Sequence, residues 1–152
     1  MKIRLLLSVM AWAVGFALPT FAQNKKTIDP EARQQIEALA TKFVEAYNRH
    51  DADAIAALLT PDAVEVRSWK TSVGGGTFSG LQAIEWMFAA DFVSSPGKMV
   101  NEHVQMYGIG NDVCAIMDTS VGEWKGHVVM IYTRAGDVGK PWKIRMSYVD
   151  AF

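Results

Sequence analysis

The last third of the chain constrains the fold most strongly, because it consists of four strand-length segments joined by short turn sequences. Gly110-Asn111-Asp112 and Ala135-Gly136-Asp137 have the chemistry of tight antiparallel connections, and Val121-Gly122-Glu123 predicts another. Successive strands joined by such turns pair as an antiparallel meander. The predicted strands cover about residues 99–109, 112–122, 124–134 and 142–151.

Helical spacing dominates the sequence before these strands. Asp29 can cap a helix that begins at Pro30, and apolar residues recur at three- and four-residue intervals as far as Tyr47. Asp51 can cap a second, short helix, and a third helix follows Gly80. Alternation with a period of two predicts one strand over residues 63–69. This order is typical of an α+β fold in which a curved antiparallel sheet folds over three helices.

Glycines at 74–76 and 80 separate that first strand from the third helix. A phosphate-binding loop would need Gly-Lys-Ser/Thr after the glycines, and a dinucleotide loop would need them between a strand and the helix that follows at once. Neither pattern is present. The segment therefore predicts a turn or a hairpin rather than an anion site.

Residues 1–22 have the pattern of an export signal. Lys2 and Arg4 precede an uncharged stretch over residues 5–18, and Thr20-Phe21-Ala22 places small residues at −3 and −1 of a cleavage site. The alternative is a membrane anchor, but a spanning helix needs about 20 apolar residues. We expect a signal peptide at 1–22, a polar spacer at 23–29 and one domain at 30–152. This predicts a periplasmic or secreted protein with no stable membrane insertion after cleavage.

Charge and cysteine content exclude further classes. Loss of Lys2 and Arg4 takes the net charge from −1 to −3, so the domain lacks the basic field that nucleic-acid binding requires. The single cysteine, Cys114, excludes an internal disulfide. In an oxidising compartment we expect this thiol to be buried in a strand, the alternative being a reactive thiol.

Four stretches of sequence resemble one known family. Residues 43–63 are similar to the opening of the SnoaL-like branch of the nuclear transport factor 2-like superfamily, and 78–84, 126–131 and 142–145 agree with it. The similarity covers roughly residues 30–152. It implies a cone-shaped roll that encloses an apolar pocket and often dimerises through the outer face of its sheet. Family members include ketosteroid isomerases, polyketide cyclases, dehydratases and epoxide hydrolases.

Candidate acid–base residues follow partly from this resemblance. A ketosteroid isomerase would have a carboxylate base near the end of the first strand, where this chain has Val66-Arg67-Ser68 and the only carboxylate is Glu65. The resemblance places His127 near the oxyanion-hole position, with Val129 and Ile131 on the same strand face. An imidazole can act as acid or base near neutral pH. The alternative is a structural histidine bonded to a backbone carbonyl.

Two further side chains are candidates for chemistry. Asp118 lies in an apolar strand context that would raise its pKa by desolvation, the alternative being an outward-facing carboxylate. Tyr47 ends the apolar stripe of the first helix, where its hydroxyl can reach a pocket, the alternative being a core residue. Side chains expected to contact a ligand are Trp69, Trp86, Trp124, Val129, Ile131 and, although its polar neighbours favour exposure, His103.

No metal or cofactor is predicted, because the chain has no His pair at helical spacing, no His-Glu-x-x-His and no calcium loop. Two hypotheses follow. The first is an exported module that binds a small hydrophobic molecule without chemistry. The second is a cofactor-independent isomerase, cyclase or dehydratase that transfers protons on a small carbonyl or cyclic substrate. The missing base favours the first, or an enzyme unlike the known isomerases. Apolar residues on both faces of 124–134 predict a homodimer.

Overall fold

A computed structural model describes residues 27–68, 75–94, 97–134 and 139–151. The predicted signal peptide, most of the spacer and Trp69 lie outside these residues. Three helices occur as predicted: α1 (Pro30–Asn48), α2 (Ala52–Ala56) and α3 (Leu81–Ser94). The Asp29 carboxylate caps α1 by accepting the N–H of Ala32 at 3.0 Å, and Asp51 caps α2 in the same way through Ala54 at 2.9 Å.

Six strands form one sheet in the order β2-β1-β6-β5-β4-β3. The predicted meander is confirmed to within a residue at each end. The first strand begins four residues earlier than predicted and includes Pro61, which the pairing accommodates through a register shift between Leu59 and Val64. The strands are β1 (Leu59–Arg67), β2 (Gly76–Ser79), β3 (Met99–Ile109), β4 (Asp112–Val121), β5 (Trp124–Arg134) and β6 (Trp142–Ala151).

One pairing departs from the expected antiparallel sheet. β1 pairs with β6 in parallel, with Glu65 beside Ser147, whereas every other neighbouring pair in the sheet is antiparallel. The parallel pair arises because α3 and four strands, β2 to β5, lie between β1 and β6 in the chain and return it to the same direction. β2 forms a hairpin with β1, in which Phe78 lies opposite Glu65, so the hairpin predicted at the glycines is confirmed.

The three helices cover one face of this curved sheet, giving the mixed α+β cone that the sequence predicts. The core between them contains Ile36, Phe43, Ile84, Met87, Phe88, Met117, Met130 and Tyr132. Cys114 is buried in β4, as predicted, and burial raises the pKa of its thiol. No helix among the described ranges is long and apolar enough to cross a membrane.

Candidate functional site

A buried cluster of charged side chains lies between β1 and α3. Glu65 and Arg67 are two residues apart on β1, so both point to the inner face of the sheet, and Asp91 comes from α3. The three residues are only 4%, 8% and 6% exposed. Arg67 Nε lies 3.3 Å from Glu65 Oε1, and Arg67 Nη1 donates to Asp91 Oδ2. One guanidinium therefore joins two carboxylates inside the cone, and we call this group the interior cluster.

Aromatic rings surround the interior cluster on its helical side. The Arg67 guanidinium lies 5.3 Å from the centre of the Phe88 ring, a cation–π distance. Tyr47 packs edge-on against Phe88 and against Phe92, with centroid separations of 6.2 and 5.2 Å. The cluster thus combines hydrogen-bonding groups with an apolar wall, the composition typical of small-molecule sites.

Burial changes the acid–base properties of this cluster. Desolvation raises the pKa of Glu65 from 4.5 to about 7, against the lowering effects of Arg67 and of the Ser147 hydroxyl, which donates to the carboxylate. Desolvation and the negative charge of Asp91 raise the pKa of Tyr47, which Arg67 partly offsets. Glu65 can therefore donate or accept a proton near neutral pH, and Tyr47 remains a neutral phenol there.

Arg67 occupies the region where the resemblance implies a carboxylate base. A guanidinium cannot abstract a proton at neutral pH, because it stays protonated. Glu65, the carboxyl on the same strand, projects from the same face as Arg67, so the interior still contains an acid–base group at a different position. Of the predicted residues, Glu65 and Tyr47 are the ones that the structure brings to this cluster.

His127 lies on the other face of the sheet. Its side chain is 55% exposed, whereas its strand neighbours Val128 and Met130 point into the core. Val129 and Ile131 share the outer face with His127 and are partly buried there. The structure therefore places this set of residues on the face of the sheet opposite the interior cluster. Both faces of β5 are apolar, so alternation alone did not distinguish the inner face from the outer one.

His127, Asp118 and His103 form a second polar group on that outer face. His127 Nδ1 lies 2.8 Å from Asp118 Oδ1, and His103 Nδ1 lies 3.0 Å from Asp118 Oδ2. His103 reaches the carboxylate from a β-bulge and has a φ of 49°. Asp118 is half exposed, in agreement with the outward-facing alternative. Within the described ranges, no three His, Cys, Asp or Glu side chains are arranged to hold a metal ion.

The two remaining tryptophans predicted to contact a ligand lie in different parts of the structure. Trp86 is 61% exposed on α3, away from the core that the same helix covers with Met87 and Phe88. Trp124 is half buried and packs against the core. Neither Trp86 nor Trp124 contributes a ring to the wall around Arg67 described above.

Sequence reasoning missed Asp91 and Ser147. Asp91 continues the buried stripe of α3, four residues after Met87 and three after Phe88, so a carboxylate at that position was the available signal. Ser147 is buried on β6 and faces inward because a register shift between Ile131 and Tyr132 displaces the following pairing. No sequence signal marks that shift.

Comparison with known proteins agrees with this architecture. A family model described as a SnoaL-like domain matches residues 40–152. The chain belongs to the SnoaL-like domain family. No curated protein matches it.

Solved structures share the fold at low identity. An NTF2-like protein of unknown function from Pseudomonas putida KT2440 is 18% identical, with a TM-score of 0.66 over 82% of this chain and 89% of its own. A protein of unknown function with a cystatin-like fold from Nostoc punctiforme is 11% identical, with a TM-score of 0.66 over 82% and 94%. A Catenulispora acidiphila structure in complex with S-DNPA is 14% identical, with a TM-score of 0.67 over 81% and 95%.

Proposed function

We propose that this SnoaL-like domain binds a small, uncharged, largely hydrophobic molecule at the interior cluster. The observation that carries the proposal is the buried Glu65–Arg67–Asp91 group with its aromatic wall. When Glu65 is protonated, the positive charge of Arg67 balances the negative charge of Asp91, and the cluster is neutral. A neutral ligand then enters without burying a net charge, which would be costly.

Hydrogen bonding at the cluster selects a ligand with an acceptor oxygen. Protonated Glu65, the Arg67 guanidinium and the Tyr47 phenol are all donors. A carbonyl oxygen can accept from such donors while the apolar body of the molecule packs against the Phe88 and Phe92 rings. A ketone with an aromatic or alicyclic body fits this combination.

Titration with acetophenone, measured by isothermal titration calorimetry, tests the proposal. We expect saturable binding that Tyr47→Phe weakens by a factor of about 5, the value of one lost hydrogen bond. His127→Ala is the matched control, because that side chain lies on the outer face. Absence of saturable binding, or equal weakening by both substitutions, would contradict the proposal.

A second candidate function is proton transfer on such a ketone, and the raised pKa of Glu65 favours it. A carboxylate with a pKa near 7 can remove a proton next to a carbonyl, and donors nearby stabilise the resulting oxyanion. The domain would then catalyse uptake of solvent deuterium into acetophenone, measured by mass spectrometry. Loss of this exchange in Glu65→Gln with acetophenone binding retained supports catalysis, and exchange at the uncatalysed rate in the wild type excludes it.

We also propose that the outer sheet face joins two copies of the chain. Cross-strand neighbours continue an apolar surface from β4 to β1, and Ile116 and Met146 are 39% and 38% exposed within it. The other members of this surface are Val64, Val66, Val129, Ile131 and Tyr148. Light scattering after size-exclusion chromatography should give a dimer mass that Ile116→Asp reduces to a monomer. A wild-type monomer at micromolar concentration would contradict it.

Export of the domain is the remaining proposal, and it rests on the sequence of residues 1–22. Expression of the full chain in a Gram-negative host, followed by fractionation and N-terminal sequencing, tests it. We expect a periplasmic or secreted product that begins at Gln23. A product that retains Met1 and stays with the cytoplasm or membrane would refute it.

A further inference from the structure

A recess lies between α1 and the start of β6, and we call it the α1–β6 groove. It is open to solvent and has a volume of about 650 Å³, which suits a small organic ligand. Its lining includes Lys42 from α1, Arg134 from the end of β5, and Lys140 and Trp142 from the start of β6. None of its lining residues belongs to the interior cluster, so the groove is a separate candidate site.

Two residues that line this groove each carry a buried hydrogen-bond donor that lacks an acceptor. Trp142 Nε1 and Arg134 Nε are both inaccessible to solvent and have no partner in the described part of the protein. Trp142 as a whole is only 8% exposed. A buried donor without an acceptor costs about 1–3 kcal/mol, and native proteins satisfy nearly all such groups. Two of them on stacked side chains indicate a place where an external acceptor belongs.

Arg134 is held in a geometry that suits recognition of a carboxylate. Its guanidinium lies 4.7 Å from the centre of the Trp142 ring, and its Nη2 donates to Gln35 Oε1 at 3.1 Å. Stacking and this hydrogen bond fix the plane of the guanidinium. A planar, fixed guanidinium binds carboxylates through paired N–H donors better than a flexible ammonium does.

The charge of the groove favours a single negative charge on the ligand. Lys42, Arg134 and Lys140 face two carboxylates, Asp29 and Glu31, which leaves an excess of one positive charge. Both carboxylates are engaged within α1, Asp29 with the Ala32 N–H and Glu31 with the Gln35 amide, each at 3.0 Å. These neutral donors leave both carboxylates charged, so the net charge of the groove lining stays at one positive charge.

Apolar groups complete the lining through Leu39, Pro141 and the Trp142 indole. We propose that the α1–β6 groove binds a small organic carboxylate with an apolar body. The carboxylate accepts hydrogen bonds from Arg134 and, once a small side-chain shift opens it to the groove, from Trp142 Nε1, and Lys42 and Lys140 add attraction from the rim. This site is independent of the function proposed for the interior cluster.

The indole N–H of Trp142 provides a direct readout of binding. Its resonance in a ¹H–¹⁵N spectrum is assigned by its loss in Trp142→Phe, and the protein is titrated with sodium benzoate at constant ionic strength. We expect a saturable shift of this resonance with a Kd of about 1 mM or tighter. Benzyl alcohol, which has the same apolar body without the charge, should produce a much smaller shift.

Substitutions separate a built site from weak surface association. Arg134→Gln should weaken benzoate binding by at least tenfold, and Lys140→Gln should weaken it severalfold, which keeps the test available if the first variant does not fold. Arg33→Gln is the matched control, since Arg33 is on the exposed side of α1 and pairs with Glu37. The proposal is overturned by the absence of saturation, by equal shifts with benzyl alcohol, or by unchanged binding in the folded groove variants.

Discussion

Replacement of Glu65 by glutamine should make the protein more stable at alkaline pH. Glu65 is 4% exposed, and burial raises its pKa from 4.5 to about 7. Between these values the folded protein retains a proton that the unfolded chain has released. Stability from this group is therefore fully present below pH 4.5 and is lost as pH rises through about 7. The pKa difference corresponds to about 3 kcal/mol of unfolding free energy.

Urea unfolding followed by tryptophan fluorescence at pH 5, 6, 7 and 8 measures this loss. We expect the wild type to lose about 2–3 kcal/mol across the series relative to Glu65→Gln, which has no carboxyl to ionise. Glu37→Gln is the control, because Glu37 is on the exposed side of α1 and should leave the wild-type pH dependence unchanged. Parallel curves for the wild type and Glu65→Gln would refute the reasoning.

Three other substitutions test different parts of the structure by the same urea assay. Arg67→Met should destabilise the protein by about 3–5 kcal/mol, since it leaves two buried carboxylates without their cation, whereas Arg33→Met at an exposed pair should cost less than about 1 kcal/mol. Equal effects would contradict a buried cluster. Gly126→Ala should cost about 1–3 kcal/mol, because a Cβ would lie 2.2 Å from the Asp150 carbonyl oxygen; an unchanged midpoint would contradict this packing. His127→Ala should change stability by less than about 1 kcal/mol, and a larger loss would place that side chain inside the fold.

The secondary structure could be predicted from the sequence because helix caps and turns depend on residues that are close together in the chain. Asp29 followed by Pro30 marks the start of α1 through a cap and a fixed φ, and these contacts form within one helical turn. Gly110 and Gly122 mark two turns of the meander and have positive φ values of 61°. The parallel pairing of β1 with β6 has no such local signal, since it depends on the path of the chain through all the elements between the two strands.

The candidate site was less accessible to sequence reasoning. Glu65 was identified as the only carboxylate of its strand, but its ion-pair network depends on Asp91, which is 24 residues beyond Arg67 in the chain. No spacing rule links positions so far apart. Neighbouring residues of β5 point to opposite faces of the sheet, and both faces are apolar, so the sequence did not show which set points inward. His127 was expected inside, whereas Val128 and Met130 are the residues that point inward.

Direct titration of the Glu65 carboxyl tests the central claim, which is that the SnoaL-like cone encloses an acid–base group poised near neutral pH. The ¹³C resonance of this carboxyl can be followed from pH 4 to 9 and assigned by its loss in Glu65→Gln. We predict a midpoint of about 7. A midpoint close to the ordinary value of 4.5 would contradict the account, because the interior cluster would then be a permanently ionised salt bridge.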